Sequence, residues 1–404
     1  MKKIFPLFLL LFPGWVQAGG FQLSSLSAEP DAMGGCGMAL PPGVCQVYYN
    51  PGAVSFLSRS HVNIGASLIL PNTEFVQDQY IARTVPQVFS PFGCYANYKP
   101  KKGIWQAALG IYTPFGSGTE WKDDWMGQYI IRQIELRCVF VQPTLSLQLG
   151  KHLGFGLGGI YATGSMLLRR AIPVQDIYAT GSARLSGDAD GVGFNSGLYF
   201  QDGKLQLGLT YRSAVNMMLR KGKAEFQVPA SLSDTFPNTT FHTTLPLPAS
   251  AGVGLAWKFS DRFLLCADFN YVFWSTYDTL RFQYDTHTTS LQDTRLARLY
   301  KNSWNAHLGA SYTLNDTWKF MAGGSYDASP ATAGYISPDL PDANRLGLSA
   351  GIGWQRQDVK VIFKVEYFST LPAKGTTLQD AADNFSGTYQ TRVLVPGLGI
   401  DYAF

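Results

Sequence analysis

From about residue 60 to the terminal Phe404 the chain alternates apolar and polar positions, segment after segment. In 60–70, Val62, Ile64, Ala66 and Leu68 share one face, while His61, Asn63, Gly65 and Ser67 share the other. A period of two is the signature of a strand whose faces meet different surroundings. The pattern returns in 138–149 with Val139, Val141, Leu145, Leu147 and Leu149, and in 359–367 with Val361, Phe363, Val365 and Tyr367. It closes the chain with Leu394, Leu398, Ile400, Tyr402 and Phe404 in phase. Fourteen such segments can be laid end to end, and the connections between them alternate long and short. Tight turns at 100–103, 150–151, 201–204 and 260–261 contrast with long loops at 169–187 and 221–247. An even strand count with short turns at one end and long loops at the other is the pattern of a membrane β-barrel. The predicted fold is therefore all-β: a 14-stranded antiparallel transmembrane β-barrel over 58–404.

Residues 19–57 break this rhythm. They hold glycines, prolines, serines, Cys36 and Cys45, with no sustained period of two or of 3.6. Irregular backbone cannot lie in lipid, where its N–H and C=O groups would go unpaired, but a polar lumen can satisfy them. This stretch is predicted to be an N-terminal plug, or hatch, inside the barrel. Ahead of it, Lys2 and Lys3 precede an apolar run over 4–16 and the small-residue site Val16-Gln17-Ala18. Residues 1–18 therefore read as a secretory signal peptide.

Composition fits an exported barrel. Charged residues make up 15% of the chain, against about 25% in average soluble proteins, and aromatics make up 14%. No stretch beyond the leader approaches the roughly 18 consecutive apolar residues of a spanning helix. The net charge of +4 is too weak for a nucleic-acid partner. The cysteines are Cys36, Cys45, Cys94, Cys138 and Cys266. Cys36 and Cys45 sit in one short segment and form a candidate disulfide, permitted in an oxidising compartment. Cys94 falls on an apolar face and reads as a small hydrophobe. The histidines His61, His152, His242, His287 and His307 are scattered without metal-ligand spacing. No metal, cofactor or catalytic constellation is nominated, and the chain is not expected to be an enzyme. Gly154, Gly156 and Gly159 match GxGxxG, but a dinucleotide loop must open a helix and this segment continues as a strand.

Several short motifs, in order and over nearly the whole chain, resemble one family. Gly20-Phe21-Gln22-Leu23 is similar to the mature N-terminus of the FadL-type long-chain fatty-acid transporters of Gram-negative outer membranes. Tyr49-Asn50-Pro51-Gly52 resembles their Asn-Pro-Ala hatch motif, with Gly52 in place of alanine. Tyr112-Thr113-Pro114-Phe115-Gly116, Tyr211-Arg212-Ser213, Tyr326-Asp327-Ala328-Ser329-Pro330 and Leu340-Pro341-Asp342-Ala343-Asn344-Arg345 also look familial. The resemblance implies ligand capture between the third and fourth external loops, here 169–187 and 221–247. It further implies an interior pocket near the hatch N-terminus, where Phe21 falls, and a kink in the third strand that opens sideways to the membrane.

Strand parity places five cations in the lumen: Arg212, Lys319, Arg345, Lys360 and Lys364. Each has two readings, a ligand-carboxylate contact or a structural pair with lumen acids such as Asp268, Asp327 and Glu366 or with the hatch. Arg212, Arg345 and Lys364 are carried forward with Phe21 as candidate ligand-binding residues, and Asn50, Pro51 and Gly52 as the hatch motif. The resemblance implies, as the expected function, uptake of long-chain fatty acids or similar hydrophobic molecules across the outer membrane by a plugged, gated barrel with lateral release. The alternative is a general diffusion porin, or a structural or adhesin barrel without a hydrophobic ligand. Expected partners are the hydrophobic ligand, outer-membrane lipid and lipopolysaccharide, and the barrel-assembly machinery during biogenesis, with the chain itself a monomer.

Overall fold

The computed structural model describes residues 19–404 apart from 24, 175–180, 333 and 377–384; the expected signal peptide lies outside the described residues. The alternating segments form strands β1 (His61–Ser67, continuing as Leu70–Gln77), β2 (Phe92–Tyr98), β3 (Trp105–Glu120), β4 (Gln133–Gln148) and β5 (Leu153–Ile172). They are followed by β6 (Gly181–Asp202), β7 (Leu205–Arg212, then Val215–Gln227), β8 (Thr239–Leu247, then Ser250–Lys258) and β9 (Phe263–Val272, then Thr279–Tyr284). The last are β10 (Thr294–Ala297, then Ser303–Thr313), β11 (Trp318–Asp327), β12 (Arg345–Arg356), β13 (Val359–Thr370, then Ala373–Thr376) and β14 (Ser386–Ala403). Each strand pairs antiparallel with its sequence neighbours, and β1 pairs with β14 from His61↔Ala403 to Ser67↔Gly397. That last ladder closes fourteen strands into a barrel without a free edge.

The faces sort as the alternation requires. Val192, Leu308 and Leu348 point outward and remain 73%, 66% and 69% exposed, because their solvent is lipid rather than a protein core. The opposite faces turn inward, and Gln106, Gln142, Ser146 and Asn195 are buried there. What buries them is the N-terminal segment, which folds as two short helices, α1 (Ala28–Ala32) and α2 (Gln46–Tyr49), and a 3-10 helix over Pro51–Phe56. Pro51 begins that turn where its missing N–H costs nothing, and the Asn50 side chain caps it by accepting from Gly52 N. α1 packs against β11 to β14, while the 3-10 turn packs against β3 to β6.

The long loops differ from their prediction. The stretches 169–187 and 221–247 are largely extended strand: β5 and β6 stay paired out to Ile172↔Gly181, and β7 and β8 pair out to Ala224↔Thr239. Residues 74–77 and 80–83, beyond the first alternating segment, likewise form a short hairpin. The pattern hid these extensions because the phase flips at their base. β7 is interrupted after Arg212 and has a second register shift between Leu219 and Gly222. Above the membrane no lipid demands apolar residues on one face, so strand continues without alternation.

Candidate functional site

The inward surface meets the N-terminal segment along two seams of different chemistry. On one side the contacts are mostly neutral hydrogen bonds. Asn50 Nδ2 donates to Met38 O and Leu198 O, each at 2.9 Å, Gln142 Nε2 donates to Val47 O at 2.6 Å, and Asn195 Nδ2 donates to Tyr48 O at 2.9 Å. Gln106 Nε2 donates to Ser55 O and Leu57 O, and Ser146 Oγ to Pro51 O. On the other side the wall uses charge. Asp268 accepts from Gly37 N (2.6 Å) and Met38 N (2.8 Å), and Glu29 pairs with Lys319 (2.7 Å) and with Lys360. Lys364 pairs with Glu366 and lies 3.4 Å from Asp31, all three buried.

Backbone meets backbone closely at the Asn50-Pro51-Gly52 turn of the segment, and glycine makes this approach feasible. A Cβ on Gly156 would overlap the Pro51 carbonyl, and one on Gly154 would overlap the Gly52 oxygen. Two glycines of the GxGxxG string therefore receive the Asn50-Pro51-Gly52 motif, and the third, Gly159, has open space around it.

The extreme N-terminal residues attach elsewhere. β2 runs alongside β3 only as far as Gly93↔Tyr112, and the β3–β4 register is irregular between Tyr112 and Phe115, at Pro114. Beyond this point β3 continues to Glu120 and takes residues 21–23 as a neighbour: Leu23 N donates to Pro114 O at 2.9 Å, and Gly116 N to Phe21 O at 3.1 Å. Phe21 is buried against Trp274 (ring centroids 4.9 Å apart), Tyr277 (5.6 Å) and Phe115 (6.0 Å). Gly20, at φ +63°, crosses the Trp274 ring, where a Cβ would come within 2.5 Å. Ring contacts run on without a break from Phe115 to Phe140 (6.0 Å), Tyr112 (5.9 Å) and Tyr48 (5.1 Å). Arg212 stands at the Tyr48 end, its Cζ 4.0 Å from the ring centroid. An aromatic wall thus leads from the N-terminus to a buried guanidinium.

The five lumen cations now separate. Arg345 pairs with Asp327 at 2.6 Å, Lys319 and Lys360 share Glu29, and Lys364 is paired as above. Arg212 differs: among the described residues no carboxylate lies within ion-pair distance of it. One of its terminal nitrogens donates to Tyr48 O at 2.8 Å, and its Nε has no partner. The expected lumen acids Asp327 and Glu366 do pair, with Arg345 and Lys364, while the hatch acids Glu29 and Asp31 were not singled out from the sequence. Parity also flagged no role for Trp274, which lies in the turn between the two halves of β9 rather than in an alternating run.

The candidate Cys36–Cys45 disulfide is a correction: the two are not bonded and, like Cys94, Cys138 and Cys266, both are free thiols in this structure. They face different surroundings, which is why nearness in sequence misled. Cys45 borders a cavity of about 250 Å³ at the short-turn end, beside Ser27, Glu29 and His61. Cys36 turns to the wall, where its thiol donates to Cys266 O at 3.6 Å.

At the external end, a cavity of about 680 Å³ lies among the extended β4–β8 walls. Arg132, Arg169, Arg170 and Arg184 line it with Asp123 and Glu225, so the space beside the expected capture loops is polar and charged. Above the lumen, residues 337–340 are pinned by a buried Arg298–Asp339 ion pair and by Trp121 Nε1 donating to Pro338 O at 3.0 Å.

A closed antiparallel barrel, apolar outside and filled by an N-terminal segment, defines the molecule as a β-barrel protein of the outer membrane. Residues 9–404 match the model of the outer membrane protein transport protein family (OMPP1/FadL/TodX), and the chain belongs to that family. It is 24% identical to the long-chain fatty acid transport protein of Escherichia coli O6:H1, covering 96% of this chain and 95% of that one. It is also 24% identical to the 47 kDa outer membrane protein of Pasteurella multocida, covering 98% and 96%. The fold is similar to the crystal structure of a Pseudomonas aeruginosa FadL homologue (TM-score 0.85, 17% identity, 96% of this chain and 100% of that one). It is similar as well to that of the P. putida toluene transporter TodX (TM-score 0.72, 17% identity, 95% and 99%).

Proposed function

We propose that this barrel takes up long-chain fatty acids, with Arg212 receiving the carboxylate and the aromatic wall from Tyr48 to Phe21 receiving the tail. The observation that carries this reading is the unpaired state of Arg212. A buried guanidinium without a counter-ion is costly, and an anionic amphiphile would supply one, whereas a neutral aromatic hydrocarbon would not. The free Nε beside a terminal nitrogen offers the fork that a carboxylate fills in a bidentate way. Arg345 and Lys364 already hold carboxylates and serve the reading less well. Residues 19–57 act as the hatch, which argues against a general diffusion pore. The interval where β3 lies next to residues 21–23 instead of β2 is the side exit toward lipid.

Paired titration of oleate and its methyl ester against folded wild type and Arg212→Ala in detergent tests the proposal. A hydrogen bond to a charged group contributes about 1.5–3 kcal/mol, so the variant should bind oleate roughly ten- to a hundredfold more weakly. The ester should bind nearly unchanged. Equal losses for both ligands, or none for either, would return Arg212 to a purely structural role.

A further inference from the structure

We propose that Cys36 and Cys266 are a disulfide site that fastens the N-terminal segment to the barrel wall. Cys36 lies between α1 and α2, and Cys266 lies on the inward face of β9. The two thiols are in side-chain contact, and Cys36 also donates to the Cys266 carbonyl oxygen at 3.6 Å. Both are buried, at 0% and 4% exposure, in one apolar cluster with Met33 and Ala39.

The local backbone suits a bridge. Gly35 and Gly37 flank Cys36, and Gly35 has φ +87°, so this short run can adjust without strain from side chains. On the wall, Gly309 stands opposite Cys266, and a Cβ there would crowd the Cys266 sulfur. The remaining cysteines have no such partner: Cys45 faces the short-turn cavity, Cys94 pairs with Ile64 and Ile111 on the lipid face, and Cys138 sits on β4. The outer membrane is assembled from an oxidising compartment that permits disulfides.

The chemistry is thiol–disulfide exchange with a disulfide oxidant of that compartment. One thiolate attacks the oxidant and releases its first thiol; the second cysteine's thiolate then displaces the other thiol from the mixed disulfide. Two protons leave Cys36 and Cys266, and the oxidant's disulfide is reduced to two thiols. Because both sulfurs are buried, exchange precedes seating of the segment, and the finished bridge resists reductant while the barrel is folded. It joins residues 230 apart in sequence, so its constraint on the undocked segment is large.

The test uses the full chain, isolated from outer membranes with N-ethylmaleimide present from lysis, or refolded with oxidised glutathione. Denatured samples are labelled with a heavy maleimide before and after reduction and digested without reductant. Expected is a pair of thiols labelled only after reduction, and a linked peptide joining Cys36 to Cys266. Cys36→Ser and Cys266→Ser should each abolish the link, while Cys45→Ser, Cys94→Ser and Cys138→Ser should keep it. In the oxidised wild type, amide exchange in 28–38 should be at least about tenfold slower than in protein refolded under dithiothreitol. Five labelled thiols after refolding with oxidised glutathione, or a linked peptide through another cysteine, would overturn the proposal. Both readouts use wild-type protein, so they stand even if a serine variant does not fold.

Discussion

Replacing Asn50 by alanine should release the hatch while leaving the barrel intact. Asn50 is fully buried and makes three hydrogen bonds: to Met38 O, to Leu198 O on β6, and from Gly52 N at the start of the 3-10 turn. Alanine removes all three bonds from a fully buried position. Each buried group left unsatisfied costs about 1–3 kcal/mol, so three cost roughly 3–6 kcal/mol after partial relaxation. At about 1.4 kcal/mol per tenfold, the displaced state of this turn becomes some two to four orders of magnitude more populated. The barrel ladders do not pass through Asn50, so strand pairing should survive. The assay is single-channel conductance of the folded variant in planar bilayers, with the heat-modifiable gel shift as the check on barrel integrity. Asn50→Asp separates shape from bonding, since it keeps the acceptor for Gly52 N but cannot donate to the two carbonyls. Both variants should conduct more than wild type. An Asn50→Ala barrel that is fully folded and as silent as wild type would refute the reasoning.

Gly156→Val should displace the same turn by steric overlap with the Pro51 carbonyl, whereas Gly159→Val, on the open face of the same strand, should not; hydrogen exchange over 50–57 distinguishes them. Arg298→Ala leaves Asp339 buried and unpaired, a change costing about 3–5 kcal/mol, and should make 337–340 protease-sensitive without lowering barrel assembly. Burial works to raise the Asp339 carboxyl, but Arg298 outweighs it and holds the group below its usual range. Its stabilising contribution is therefore complete above the unfolded carboxylate pKa near 4 and is lost only as pH falls below that, so in wild type the same segment should stay protected from pH 8 down to about pH 4. Phe404→Asp places a charge at the lipid-facing end of β14, beside Tyr402, where the direct cost is about 0–1 kcal/mol; a modest, at most severalfold, drop in folded protein at the outer membrane, with normal ligand binding by what remains, is the expected result.

Where lipid enforces one apolar face, the sequence was readable residue by residue. Val62, Ile64, Leu308 and Leu348 fell outward as their parity requires, and so did the final Phe404. Legibility ended at the membrane's edge, because Arg220, Lys221 and Lys223 on β7 answer to water on one side and to a bulge at 219–222, not to alternation. The lumen was half legible. Parity sent Arg212, Lys319, Arg345, Lys360 and Lys364 inward, yet Glu29 and Asp31, which meet the three lysines, come from irregular backbone whose side-chain directions no period encodes. The same gap explains Cys36, whose neighbour in space is 230 residues away while its neighbour in sequence faces another cavity.

The two seams around the hatch answer to different forces. Residues 47–57 are held by amides and hydroxyls of β3, β4 and β6 and by the single cation Arg212, all donating to backbone carbonyls. Residues 25–38 are held mainly by carboxylates, lysines and His307 on β9 to β13, with neutral contacts from Ser349 at Gly34 and Ala32, from Tyr95 at Leu26 and from Thr210 at Met38. Neutral hydrogen bonds change little with salt or pH, whereas ion pairs weaken with both, least where they are buried. Lys319 and Lys360 remain about a third exposed at the short-turn cavity, so the charged seam has an end open to water. That makes the N-terminal half of the hatch the more easily loosened half. Cys36 lies within it, between the Gly34–His307 and Gly37–Asp268 contacts, so a bridge to Cys266 would secure the seam that electrostatics alone leave conditional.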